Sequence, residues 1–203
     1  NKMNIKEVYK KFPELKKLAQ MGLKYLDGAS HELNIKDEEA GIEFGVKNIS
    51  LVHDEEDSEK SVAEDYEFEN CYVVKGRKKV LIFGEQDEVS NDEFLTYLAK
   101  TFYESKEYKT LIDAYDAARS AQKKFEEKYG VDIYFDGGVD NPIVICPKDD
   151  EYDYPILEIN TENGTVDDMT EEYNKWAEQK VENLKEKRNE IDELIKSMKV
   201  IKI

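Results

Sequence analysis

Between Tyr66 and Phe83 the chain reads YEFENCYVVKGRKKVLIF, the densest apolar signal in the sequence. Two apolar runs flank the basic segment from Lys75 to Lys79, and Gly76 can supply the positive φ that hairpin loops often need. The pattern predicts the central hairpin of a sheet. Its second half, Val80-Leu81-Ile82-Phe83, is a continuous apolar run, which predicts a strand covered on both faces.

Other strand signals lie on either side. Leu33 and Ile35 alternate with polar residues, as do Ile42 and Phe44, then Ile49, Leu51 and His53. These read as short strands with Gly41 and Gly45 as kinks or turns. Val131–Phe135, Ile143–Cys146 and Pro155–Asn160 read as further strands, separated by Asp136-Gly137-Gly138 and an acidic loop. Asn163-Gly164 is a tight-turn signal, and the succession predicts an antiparallel meander.

Helical spacing appears in four places. Residues Ile5 to Leu26 carry a 3.6-residue apolar period that Pro13 should break into two helices. Ser90 with Glu93 forms a capping-box pattern ahead of Phe94, Leu95 and Leu98. A further helix runs to Tyr129, with Gly130 as its terminator. The last helix, from about Asp168 to Met198, has Tyr173, Ala177, Val181, Leu184, Arg188, Ile191, Ile195 and Met198 as its inward positions. From Ala177 their steps alternate four and three, a heptad seam. Its first half, with Trp176, should pack on the sheet, and its second half should dock on the first helix or project into a partner. Arg188 argues against a tight dimer, because an unpaired buried cation is costly.

The expectation is an α+β fold: a mainly antiparallel sheet flanked by helices, containing Glu67–Phe83 and Val131–Asn160, with a long C-terminal helix. Residues 1–203 carry no repeat and no Pro- or Gly-rich linker, so one domain is expected.

Charge is the other constraint. The net charge is −17, and it is unevenly placed: residues 26–70 hold fifteen Asp and Glu against three Lys, and residues 131–172 hold thirteen against one. The N-terminal 25 residues are basic. Such asymmetry gives a directional field and excludes non-specific nucleic-acid binding, which needs a basic surface. The run from Asp54 to Asp65 reads as a solvated loop.

Sites of chemistry are sparse. His31 and His53 each fall on a strand, where a satisfied histidine is commoner than a ligand or base. HExxH, paired CxxC and GxSxG patterns are all missing. Gly137-Gly138 reads as a plain turn, because Asp136 and Asp140 would repel phosphate, and the KGRKK loop reads as a solvated tip. Asp132, Asp136 and Asp140 are the runner-up metal ligands, although no stretch matches a calcium loop. No cofactor is expected. Cys71 and Cys146 read as reduced, buried thiols. No apolar run is long enough to span a membrane, and the Lys-rich start lacks the apolar core of a signal peptide. Together these point to a cytoplasmic protein, and the excess of lysine over arginine to an AT-rich bacterial or phage source.

The function expected from these features is non-catalytic: an acidic surface offered to a basic protein partner, in the manner of an inhibitor, an immunity protein or a nucleic-acid mimic. Its candidate residues are Asp54, Glu55, Glu56, Asp57, Glu64 and Asp65, with Asp149, Asp150, Glu151 and Asp153. The alternatives are a metal-dependent enzyme using a loop carboxylate cluster and an oligomerising component acting through the C-terminal helix.

Overall fold

The computed structural model describes residues 3–54, 56, 60–84, 91–136, 140, 142–148 and 151–198. Helices α1 (Ile5–Lys11) and α2 (Leu15–Tyr25) come first, and then strands β1 (His31–Asp37), β2 (Ile42–His53), β3 (Ser61–Lys75) and β4 (Lys78–Phe83). Helices α3 (Asp92–Glu104) and α4 (Lys106–Tyr129) separate these from β5 (Val131–Phe135), β6 (Pro142–Pro147), β7 (Leu157–Asn160) and β8 (Val166–Asp168). Helix α5 (Thr170–Ser197) closes the chain. The strands form two four-stranded antiparallel sheets, in orders β1-β2-β3-β4 and β5-β6-β7-β8. The single sheet read from the sequence is therefore two, each a meander of its own. The apolar pattern marks no strand at Val166–Asp168, where β8 forms.

Local chemistry explains the helix ends. Asn4 caps α1, its Oδ1 accepting from the Lys6 and Glu7 amides while Glu7 accepts from the Asn4 amide. Phe12-Pro13 separates α1 from α2, as the missing proline amide requires. Asn91, and not Ser90, is the N-cap of α3, with Oδ1 accepting from the Phe94 amide at 3.1 Å; Ser90 lies outside the described residues. Ser105 serves two helices, donating to the Phe102 carbonyl at the end of α3 and accepting from the Tyr108 amide at the start of α4.

Two apolar cores form. The first packs Ile35, Phe44, Val46, Ile49 and Cys71 of the β1–β4 sheet against Leu98 and Phe102 of α3 and Tyr108 and Leu111 of α4. The second packs Ile133, Ile143, Ile145, Leu157 and Ile159 of the β5–β8 sheet against Val8, Leu15 and Leu18 of the N-terminal helices and Phe125 of α4. Helix α4, about 36 Å long at 1.5 Å per residue, therefore lends its first half to one core and its second half to the other. Gly22 of α2 is required by the second core: a Cβ there would lie 2.5 Å from the Phe135 ring.

Three expectations are corrected. Strand β4 is the edge of its sheet, and only Phe83 of the apolar run is buried; Val80, Leu81 and Ile82 are 55%, 50% and 47% exposed. An apolar run signals burial only if a neighbouring layer exists on both sides, and here none covers the overhang among the described residues. The solvated loop is shorter than expected, because Ser61–Asp65 belong to β3. Val62-Ala63 is too short an apolar pair to announce a strand, yet Ala63 is buried and its amide donates to the Tyr108 hydroxyl at 3.1 Å. Finally, α5 has no buried residue, so its positions are not inward. Its root alone is anchored, where Trp176 and Tyr173 pack on Tyr152 with ring centroids 5.0 and 5.1 Å away. No helix among the described residues is long and apolar enough to cross a membrane.

Candidate binding surface on the β2–β3 hairpin

One face of the β1–β4 sheet is taken by the helices. Tyr66 and Phe68 of β3 point that way, with Tyr66 5.0 Å from Phe102 and 5.5 Å from Phe68 between ring centroids. Strand alternation then sends Asp65, Glu67 and Glu69 to the open face. These carboxylates stand at intervals of about 7 Å, twice the rise of an antiparallel strand. Glu64 extends the row, exposed at the register shift where Ser50 pairs with Asp65 and Leu51 with Ala63.

The ladder between β2 and β3 shifts register three times. At the shift between Phe44 and Val46, Gly45 lies beneath Glu69 and Asn70, and a Cβ on it would sit 3.3 Å from the Glu69 carboxylate. A shallow groove of about 400 Å³ opens there, lined by Glu32, Asn34, Glu43, Glu69, Asn70 and Tyr72. Glu43 is buried at its floor, accepting from Asn34 Nδ2 at 3.0 Å and paired with Lys79 Nζ at 2.6 Å. The Lys79 ammonium, and then the Asn34 amide, hold its carboxyl below the usual range, so it stays ionised. Asn48, at φ 55°, marks the second shift and donates to the Glu67 carboxylate at 2.8 Å. Lys36, Lys47 and Lys79 share the open face, Lys47 directly opposite Glu67, so the acidic residues form a row along β3 alone.

The row runs towards the far tip of the hairpin, where Asp54 and Glu56 of the first expected group sit. The Asp54 amide donates to the Lys60 carbonyl at 2.8 Å and its Oδ1 accepts from the Glu56 amide at 2.9 Å. Glu56 is exposed; Glu55 and Asp57 lie outside the described residues. The second expected group is elsewhere: Glu151 pairs with Lys180 at the root of α5, and Asp153 is exposed beside it, while Asp149 and Asp150 lie outside the described residues. His53 and Lys148, which immediately precede the two groups, line one groove of about 890 Å³ along α4. That groove is of mixed charge, with Arg119 and Lys123 facing Asp116, Glu126 and Glu127.

The tip is fastened by a polar chain with both ends on α4. Arg119 Nε donates to His53 Nε2 at 3.0 Å, His53 Nδ1 lies 3.4 Å from Ser61 Oγ, and Ser61 donates to Asp116. Although the residue types suggest nucleophilic chemistry, the carboxylate holds the serine and not the imidazole, and both imidazole nitrogens are engaged. The network ties the hairpin tip to α4. His31 is the other strand histidine; it stacks on Tyr25 with centroids 5.8 Å apart.

No metal centre emerges: among the described residues, no three His, Cys, Asp or Glu side chains gather closely enough to hold an ion. Asp132 and Asp136 are four extended residues apart, about 13 Å along the chain. Asp136 instead lies near Asp27, whose carboxyl is raised by burial and by that neighbouring charge. Cys71 and Cys146 are free thiols on different sheets; burial lifts Cys71 to about 11.

Sequence reasoning found Glu64 and Asp65 but placed them in a loop, and it missed Glu67 and Glu69. The signal was present in Asp65-Tyr66-Glu67-Phe68-Glu69, a strict alternation of carboxylate and aromatic that defines one wet and one dry strand face. No protein-family model, curated protein or solved structure matches this chain.

Proposed function

We propose that this is a non-catalytic binding protein whose β2–β3 hairpin presents its carboxylates to a basic protein. The observation that carries the reading is the row Glu64, Asp65, Glu67 and Glu69 on the open face of one strand, continued by Asp54 and Glu56 at the tip. A strand fixes its side chains without the ordering cost a loop would incur. The net charge of −17 adds long-range attraction for a cationic partner and accelerates encounter. The partner fitted best is one whose basic groove normally holds nucleic acid. Carboxylates at about 7 Å have roughly half the linear charge density of one DNA strand, with a phosphate every ~3.4 Å of axis. The mimicry is therefore of a line of charge and not of phosphate geometry. A cytoplasmic bacterial or phage protein of the inhibitor or immunity type is consistent with this surface.

The test is competition. A basic, non-specific DNA-binding protein carrying fluorescent duplex DNA is titrated with this protein at several salt concentrations. Displacement that weakens with salt, and that is lost in Glu67→Lys/Glu69→Lys, is the expected result. No displacement at low salt, or equal displacement by the double variant, would contradict the proposal.

A further inference from the structure

Helix α5 is about 42 Å long at 1.5 Å per residue, and beyond its root it touches nothing that buries it. Val181, Leu184, Ile191, Ile195 and Met198 are 49% to 71% exposed. They lie on one seam, in steps of three and four interrupted only by Arg188. An apolar stripe of this length on a projecting helix is a docking surface. We propose that its occupant is the α5 helix of a second copy of this chain, packed antiparallel.

The charges choose the orientation. In a parallel pair Arg188 would meet its own counterpart and Lys180 would flank Lys185 of the partner subunit, set against one kind of attraction, Lys187 beside the partner's Asp192. A parallel pair would also bring two bodies of this −17 chain side by side at the helix roots. Run antiparallel about a midpoint between Asn189 and Glu190, the seam fills. Val181 faces the partner's Met198, Leu184 the partner's Ile195, and Arg188 the partner's Ile191. Arg188 then lies level with the partner's Asp192 and can carry its guanidinium to the seam's edge. Lys185 falls beside the same aspartate, and the two-fold axis repeats each contact. The overlap spans Val181 to Met198, about 27 Å, and leaves the bodies at opposite ends. The anchored root, where Lys180 pairs with Glu151 and Trp176 packs on Tyr152, stays outside it. The proposal stands independently of the acidic hairpin.

Sedimentation of the full chain over a concentration series at physiological ionic strength tests it. The mass is expected to rise from 23.7 kDa towards twice that value. Leu184→Asp should hold the chain at 23.7 kDa at every concentration with an unchanged far-UV spectrum, because no α5 residue is buried. Lys185→Glu should weaken association about tenfold, because the two-fold axis removes two exposed ion pairs together worth roughly 1.4 kcal/mol, and adding Asp192→Lys should restore it. In a parallel pair Lys185→Glu would instead tighten association by relieving its contact with Lys180. A parent chain that stays monomeric throughout overturns the proposal; tightening by Lys185→Glu, or no rescue by the double variant, overturns the antiparallel register.

Discussion

The two sheets of this molecule solve the same packing problem with different ladders. In the β5–β8 sheet every strand pair keeps its register from end to end. In the β1–β4 sheet the β2–β3 pair slips three times, and the β1–β2 and β3–β4 pairs slip once each. The slips coincide with the carboxylates: Gly45 under Glu69, Asn48 bonded to Glu67, and Glu64 extruded beside Asp65. Bulges re-aim side chains and increase local twist, and they recur beside functional surfaces. The lesson is that an unshifted ladder suffices to fill one core, whereas the slips of the other sheet also set what its open face displays.

The sharpest way to break this comparison is to ask whether the sheets are separable. Phe44→Ala in the first core should cost about 3–5 kcal/mol and Ile159→Ala in the second about 2–5 kcal/mol. Because α4 carries Leu111 into one core and Phe125 into the other, both variants should lower a single shared transition in urea. Fluorescence of Trp176, beside the second sheet, and far-UV circular dichroism should then give one midpoint. Two midpoints would mean that α4 does not couple the cores.

A smaller effect concerns the second sheet only. Gly22→Ala pushes a methyl group against Phe135 and should cost about 1–3 kcal/mol of overpacking while leaving the hairpin unaltered. Amide chemical shifts should move in β5 and α2 and stay in place in β2 and β3. Shifts of equal size in both sheets would contradict a strain confined to the second core.

The smallest effect is a pH dependence at the edge of the first sheet. His31 is lowered from its ordinary 6.5 by burial and then by Lys24, and its Nε2 is buried without a partner among the described residues. The unfolded chain therefore takes up a proton there before the folded chain does, and stability should fall as pH drops through 6.5 and below. His31→Phe should remove that dependence. An unchanged stability-versus-pH curve for the variant would assign the effect elsewhere.

Much of the architecture was legible because it rests on short-range signals. Pro13, Asn163-Gly164, Gly130 and the apolar periods of α2 and α4 each state a local requirement that the fold obeys. What stayed hidden depends on partners distant in sequence. The run Val80–Ile82 looks like a central strand, and only the absence of a covering layer makes it an edge. The seam of α5 looks inward, although the two cores are already filled by α1 to α4. Ser61–Asp65 becomes a strand because Tyr108 and Asp116, some 45 and 55 residues later, receive Ala63 and Ser61. The acidic surface was read from charge density, which finds carboxylates but not the face on which they stand. Alternation along β3 held that information.

The central claim, that the acidic row of the β2–β3 hairpin is the docking surface, is tested most directly by mapping contact on the labelled protein. An arginine-rich peptide is titrated into ¹⁵N-labelled chain at physiological ionic strength, and amide shifts are followed residue by residue. The account predicts shifts concentrated at Glu64–Glu69 and their β2 neighbours, with the outward residues Glu158 and Asp167 of the second sheet unmoved. Shifts of equal size over both sheets, or confined to Glu151 and Asp153 at the α5 root, would contradict it.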